Sequence, residues 1–261
     1  MRREPDRSSE QVSQAVLGQI IRVLEQDSDW SRVRTADEYS GWIESRWLAF
    51  TPRGRSYAAA GMVARVTNLF ADVLVWPDPA SEIRTRAVIG TELEIAEVRE
   101  DWVIVRLPDG TPGALRRFAV ELVDRAVYSL PLTPTGFEIA ATARRFVGSP
   151  YLWGGTTPFG FDCSGFAQLV YKLNGVLLPR DAHLQAQDQR FVPADGAARP
   201  GDLLFFFGPR DGAGSDKDIT HVGLALGADR FIHSAGGAGV GVSDLQEPPY
   251  AETFKKARRL R

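Results

Sequence analysis

Tyr151-Leu-Trp-Gly-Gly-Thr-Thr-Pro-Phe-Gly-Phe-Asp-Cys-Ser-Gly-Phe166 is a Gly-rich aromatic loop that runs straight into the only cysteine of a 261-residue chain. Beyond it, Phe166, Leu169, Val170 and Leu173 recur at helical spacing up to a capping Gly175. The spacing therefore predicts a helix that begins at Cys163. Unpaired N–H groups and the helix dipole favour an anion at such a start, which predicts a thiol pKa lowered from ~8.5 toward neutrality. Most lone cysteines are small buried hydrophobes. The loop and the helix start together turn Cys163 into a candidate nucleophile.

The histidines extend that reading. His221 lies in Ile219-Thr-His-Val-Gly-Leu-Ala-Leu226 and His233 in Arg230-Phe-Ile-His-Ser234, both strand patterns. Gly227-Ala-Asp229 between them reads as a hairpin turn, so both imidazoles can face the same side of a sheet. A thiolate paired with an imidazole, itself oriented by another polar group, is the general design of cysteine hydrolases. A zinc site built from Cys163, His221 and His233 is formally open. The usual catalytic zinc sites, three imidazoles or two plus a Glu, need no thiolate. Upstream, Phe137, Ile139, Ala140, Ala143 and Phe146-Val147 form a helical pattern that ends at Gly148, after a linker at Leu130-Pro-Leu-Thr-Pro134.

The first half of the chain contains a repeat. A shift of 72 positions aligns residues 5–43 with 77–115 without a gap, and fourteen of the 39 positions are identical, among them Gly18/Gly90, Trp30/Trp102, Asp37/Asp109 and Gly41/Gly113. Alternating stretches such as Glu92-Leu-Glu-Ile-Ala-Glu-Val98 and Trp102-Val-Ile-Val-Arg106, separated by turns such as Pro108-Asp109-Gly110, predict short strands of two small β-barrels. Trp30 and Trp102 are expected in the barrel cores. Tyr39 is different, because its partner Thr111 shows that the barrel does not require an aromatic residue there. Copy two also opens with an apparent first strand, Met62–Leu69, whose counterpart would fall before Met1. Copy one is thus expected to lack that strand, with the natural start upstream.

Composition narrows the function classes. Lys and Arg number 31 against 33 Asp and Glu, a formal charge of −2, which argues against a dedicated nucleic-acid binder. One cysteine cannot form an internal disulfide or a multi-thiolate zinc site. The longest apolar run, Leu203-Leu-Phe-Phe-Phe207, is far short of the ~20 residues of a membrane span. Residues 1–30 carry charges throughout with no signal-peptide core. The expectation is a soluble, cytoplasmic protein with no membrane partner; the sequence does not fix its oligomeric state.

Both halves resemble known families. Copy one reads Asp37-Glu-Tyr-Ser-Gly-Trp42, similar to the D-G-Y-x-G-W turn of bacterial SH3-like domains; copy two, Asp109-Gly-Thr-Pro-Gly-Ala114, has lost both aromatic residues. Residues 151–166, Gly201-Asp-Leu-Leu-Phe-Phe206, Thr220-His-Val-Gly-Leu-Ala-Leu-Gly227 and Phe231-Ile-His-Ser-Ala-Gly-Gly237 resemble the blocks of the NlpC family of cell-wall cysteine peptidases, in family order. The resemblance covers about residues 135–255 and implies an α+β, papain-like fold. It implies SH3-like domains over 1–50 (short of its first strand) and 60–126, and a peptidase domain over 133–261. It implies Cys163 as nucleophile, His221 as general base and His233 as the residue orienting that base, with no metal or other cofactor.

The SH3-like domains, the D-C-S-G block and Leu178-Pro-Arg-Asp-Ala182 narrow the likeness to γ-D-glutamyl-L-diamino-acid endopeptidases of murein peptide recycling. That subgroup implies substrate contacts from Tyr39, Asp162, Ser164 and Arg180 to an L-Ala-γ-D-Glu-diamino-acid peptide. An acidic residue of the first SH3-like domain, Glu4 or Glu10, would face its free amine. Arg180 can take the D-Glu carboxylate bidentately. Pairing of Arg180 with Asp162 or Asp181 instead is the open alternative, and Ala182 stands where a hydroxyl residue can occur. Rival readings are a secreted hydrolase of intact wall, an amidase of the same fold and a non-catalytic wall-binding module.

Overall fold

The 72-residue offset reappears in the backbone. A computed structural model describes residues 1–51, 56–125, 133–208 and 218–261. Strands β1 (Arg22–Asp27), β2 (Trp30–Arg34) and β3 (Ser40–Glu44) form one antiparallel sheet. Copy two contributes β4 (Met62–Val66), β5 (Phe70–Leu74), β6 (Ile83–Val88), β7 (Glu92–Val98), β8 (Trp102–Arg106), β9 (Pro112–Arg116) and β10 (Val120–Asp124), ordered β10-β4-β7-β8-β9-β5-β6. β8 and β9 fall 72 residues after β2 and β3. The β1–β2 register slips between Val23 and Glu25, and the β7–β8 register slips between Ile95 and Glu97, at the same offset. A bulge bends and twists its strand, so the copies share a backbone irregularity as well as a pattern. The bridge Arg2↔Trp42 is likewise the image of Leu74↔Ala114. Among the described residues, copy one has no strand corresponding to β4.

Alternation places Val63, Val66, Val73, Leu93, Val103, Val105 and Leu115 in the core of copy two. Trp102 is buried with the Arg116 guanidinium 4.1 Å over its ring, whereas Trp30 is only half-buried. The smaller sheet of copy one offers Val33 as its buried apolar centre, with Ser31 and Ser45 sharing a 2.8 Å hydroxyl bond.

The chain divides into two units, and the second takes in residues 11–14 and 37–39 together with 132–261. The residues 130–132 of the expected linker lie outside the described chain. Helix α1 (Gly136–Arg144) starts at a capping box in which the Thr135 side chain and Glu138 satisfy each other's orphan backbone donors. Ile139, Ala140, Ala143 and Phe146 are buried, but Phe137 and Val147 are exposed. Phe137 sits two positions before Ile139, on the opposite face of the helix, and Val147 follows the helix end.

After the short hairpin β11 (Thr156–Thr157) and β12 (Gly160–Phe161) comes helix α2 (Cys163–Leu173), buried from Ser164 to Tyr171. It ends where Gly175 adopts φ 82° and the Val176 N–H reaches back to the Tyr171 carbonyl. The short helix α3 (Ala182–Gln185) and strand β13 (Phe191–Pro193) precede β14 (Leu203–Phe207). Then come β15 (Ile219–Ala225), β16 (Arg230–Ala235), β17 (Gly239–Asp244), the short helix α4 (Tyr250–Thr253) and β18 (Phe254–Leu260). The antiparallel sheet is ordered β13-β18-β14-β15-β16-β17. The apolar run Leu203–Phe207 is continuous because β14 is an interior strand paired on both sides. Phe146, Phe161 and Phe166 meet edge to face at centroid distances of 5.4–6.2 Å and lock α2 to the loop before it.

One close approach sets the helix start. A Cβ on Gly165 would lie 2.1 Å from the Gly155 carbonyl oxygen, so the Gly-rich loop packs directly on the first turn of α2. Backbone cannot retreat as a flexible side chain can, and overpacking of this kind costs about 1–3 kcal/mol or more. Gly165→Ala is therefore expected to lower unfolding stability by at least that amount in urea titration. Turnover should fall with it, as the loop shifts away from Cys163.

Candidate active site

Helix α2 begins with Asp162 as its N-cap, whose carboxylate accepts from the Gly165 N–H at 2.7 Å and from the Gly154 N–H of the loop at 3.0 Å. The same carboxylate accepts from Ser164 Oγ at 3.3 Å and from both terminal nitrogens of Arg180, Nη1 at 3.0 Å. Arg180 is 2% exposed and its Nη1 also donates to Ser164 Oγ at 2.9 Å. Of the arrangements open to the sequence, the structure takes the Asp162–Arg180 pair. A carboxylate offers about four lone-pair directions, and five donors occupy those of Asp162. Asp162 thus organises the helix start, joining loop, helix and Arg180 at one carboxylate. Among the described residues, Arg180 keeps one buried donor, Nε–H, without a partner. Burial opposes the Arg180 charge, and the bonds and charge of Asp162, with Asp181 and Tyr39 adding, more than restore it.

Cys163 is half-buried, and its Sγ lies 3.8 Å from the Thr220 carbonyl oxygen. Burial pushes the thiol up to about 12 and the Asp162 charge adds to the rise, while the Val222 and Ser164 N–H groups and Arg180 oppose it. The expected shift toward neutrality is therefore reversed. The helix start already serves an anion, the Asp162 carboxylate, and that negative charge stands beside the sulfur. Tyr151, which the sequence reading quoted without singling out, is raised by burial and by the charges of Cys163 and Asp162, so its phenol belongs to the thiol's surroundings.

Thr220 and Val222 bracket His221, so the strand that flanks the thiol also carries the imidazole. His221 Nε2 and His233 Nδ1 are 2.8 Å apart, and His233 Nε2 is 2.9 Å from Ser243 Oγ. Gly223 makes this possible: a Cβ there would meet the Phe231 ring at 2.5 Å and His233 Cβ at 3.2 Å. Burial lowers His221 to about 4, with Asp162 opposing, and lowers His233 to about 3, with His221 adding. The two imidazoles direct nitrogens at each other rather than at a common point. Among the described residues, no group of three His, Cys, Asp or Glu could hold a metal.

The turn Asp37–Tyr39 belongs to this same unit. Gln168 Nε2 on α2 donates to Asp37 Oδ2 at 2.7 Å and to the Leu178 carbonyl at 2.9 Å. Tyr39 stands within electrostatic reach of Arg180, and Asp37 within reach of Asp181. Burial raises the Asp181 carboxyl; Arg180 and His183 oppose the rise, and the charges of Asp162 and Asp37 add to it. Glu4 and Glu10 lie in the other unit, where Glu10 pairs with Arg3 at 2.6 Å. Gln168 and Ser243 escaped the sequence reading, because a buried amide and a strand serine carry no spacing signal.

The NlpC/P60 family matches residues 148–259, and the bacterial dipeptidyl-peptidase Sh3 domain matches residues 1–48. Gamma-D-glutamyl-L-lysine dipeptidyl-peptidase of Bacillus cereus is 31% identical over 258 residues, spanning 95% of this chain and 74% of that protein. Dipeptidyl-peptidase 6 of Lysinibacillus sphaericus is 30% identical over 253 residues, spanning 94% and 88%. The crystal structure of an NlpC/P60 family protein from Bacillus cereus superposes with a TM-score of 0.82 at 28% identity, covering 95% of this chain and 81% of that one. The likeness runs through both units, and the chain belongs to the NlpC/P60 family of cysteine peptidases.

Proposed function

We propose that this peptidase hydrolyses the bond between γ-D-Glu and a diamino acid, diaminopimelate or L-Lys, in murein peptides whose N-terminal L-Ala carries a free amine. The observation that carries the free-amine reading is the place of Asp37–Tyr39 within the catalytic unit, tied to the nucleophile's helix through Gln168. The printed names of the Bacillus cereus and Lysinibacillus sphaericus relatives support it, since a dipeptidyl-peptidase removes a dipeptide from a free end. Fragments of this kind are products of wall turnover, and their processing in the cytoplasm is the role this reading implies.

The chemistry is acyl transfer. The resting pair is a neutral thiol and a neutral imidazole, so attack is coupled to proton transfer. The ring nitrogen of His221 not used by His233, Nδ1, takes the Cys163 proton as sulfur adds to the γ-carbonyl of D-Glu. Backbone N–H groups at the start of α2 are the donors available to the developing oxyanion. His221 then protonates the departing amine, and water, activated by the same imidazole, releases the thioester. Arg180 Nε–H is the unsatisfied donor that a substrate carboxylate would complete, with Ser164 beside it. A cation at the far end of the peptide needs a carboxylate and hydrogen-bond acceptors, for which Tyr39 is the candidate acceptor.

Three outcomes are expected. Cys163→Ala and His221→Ala should abolish hydrolysis in folded protein, whereas His233→Asn should retain a fraction, because an amide can still orient an imidazole. Stability should follow the buried imidazoles: an unfolded chain protonates histidine near ~6.5, but these two stay neutral down to about 4 and about 3. The unfolded state therefore binds more protons in that window, and stability is lost as pH falls through it. Urea midpoints measured between pH ~7 and ~5 should drop less steeply for His233→Asn than for the wild type.

The substrate end is tested with L-Ala-γ-D-Glu-L-Lys, its N-acetyl form and intact murein. Acetylation removes the charge and strands the groups built to receive it, so kcat/KM should fall at least ~100-fold, with intact murein equally poor. Tyr39→Phe should narrow the gap. Equal kcat/KM for free and acetylated peptides would make the protein a hydrolase of intact wall instead.

A further inference from the structure

The hydrogen-bond chain that starts at His221 does not stop at His233. His233 is 3% exposed, and its ring is enclosed by Phe231 at 4.7 Å and Tyr250 at 5.0 Å between centroids. Its two nitrogens meet His221 on one side and Ser243 Oγ on the other. Phe231 pairs with Ser243 across β16 and β17, while His233 pairs with Gly241. Ser243 is thus diagonal to His233 on the same face of the sheet, two residues along the outermost strand.

A neutral imidazole carries one N–H, and the hydrogen bond at one nitrogen decides where it sits. Two proton arrangements fit the observed distances. If Ser243 Oγ accepts from His233 Nε2–H, then His233 Nδ1 is a lone pair that accepts from His221 Nε2–H. His221 Nδ1 is then bare and can take the thiol proton. If the hydroxyl donates instead, His233 carries its proton on Nδ1 and gives it to His221 Nε2. That forces the His221 proton onto Nδ1, where it blocks the base. Only the first arrangement also accommodates the imidazolium formed during turnover, since His221 Nε2–H must then donate to His233.

We propose that Ser243 is a positioning residue whose Oγ accepts from His233 Nε2–H and so holds the relay in the tautomer that leaves His221 Nδ1 free for the Cys163 proton. This rests on the nucleophile and base roles given above, and its test keeps the two apart. Ser243→Thr keeps the hydroxyl, Ser243→Val is its isostere without one, and Ser243→Ala is the smallest change. The Thr variant should stay within about threefold of wild-type kcat, and the Val and Ala variants should lose at least ~10-fold in kcat with KM little changed, since a wrong tautomer removes the base without touching substrate binding.

The second readout needs no turnover. The chain has three histidines, so selective 15N labelling of imidazoles gives a spectrum that can be assigned by His→Gln variants. His221 Nδ1 should read as unprotonated in wild type and Ser243→Thr, and as protonated or exchanging in Ser243→Val. An unchanged His221 tautomer in the Val variant, or kcat of Val and Ala variants within twofold of wild type, would overturn the proposal. Cys163→Ala is assayed in parallel: activity surviving there removes the nucleophile assignment, a failure separate from that of Ser243.

Discussion

One buried ion pair holds the catalytic unit together at its most demanding point. Asp162 caps α2, ties down the Gly154 amide of the preceding loop and takes the two terminal nitrogens of Arg180, which also reaches Ser164. A buried pair of this kind contributes modestly as a pair, but removal of one partner strands a charge and costs about 3–5 kcal/mol. Its value here is positional. Loop, helix start and the Leu178–Ala182 segment converge on a single carboxylate, and Cys163 is the next residue. Gln185 adds a second tie, donating from Nε2 to the carbonyls of Ser164 and Pro179.

That arrangement has an electrostatic consequence. A negative group beside a desolvated sulfur disfavours thiolate, and burial disfavours the charged form of His221. The imidazoles are governed by their own surroundings. Their burial among Phe206, Phe231 and Tyr250 keeps them neutral, and the Gly223 gap lets the two rings approach. Cys163 and the two imidazoles thus sit in different surroundings: a charge network at the helix start, and an apolar enclosure on the sheet.

The two copies of the repeat differ at one turn. Strands β2 and β3, the bulge and the bridge coincide with their images at an offset of 72, and so does the left-handed turn between β2 and β3, but the residues of that turn differ. Copy two has Gly110 at φ 85°, and copy one has Glu38 at φ 62°, a left-handed backbone that favours glycine. Thr111 of copy two corresponds to Tyr39, and Ala114 to Trp42. Copy one thus departs from its twin at the segment that groups with the peptidase residues.

Much of this was legible in the chain before any coordinates. Local signals carried it: the helix start at Cys163, the strands around His221 and His233, the Gly175 stop and the repeat, because capping, periodicity and self-similarity are encoded between near neighbours. Tyr39 stood out for the same reason, by comparison with Thr111. What only the tertiary structure decided is the pairing of side chains distant in sequence. Arg180 could have turned to Asp181, and pairs with Asp162, 18 positions away. The thiol was expected to be acidified by its helix, a correct local inference that burial and the neighbouring carboxylate reversed. Phe137 fitted a helical pattern and ended in solvent. Ser243 and Gln168 had no signature at all, because a hydroxyl or an amide acquires its role from what the fold sets opposite it. Sequence determines which residues are able to do chemistry, whereas desolvation and hydrogen-bond partnership, which exist only once the chain has closed on itself, decide the state in which they do it.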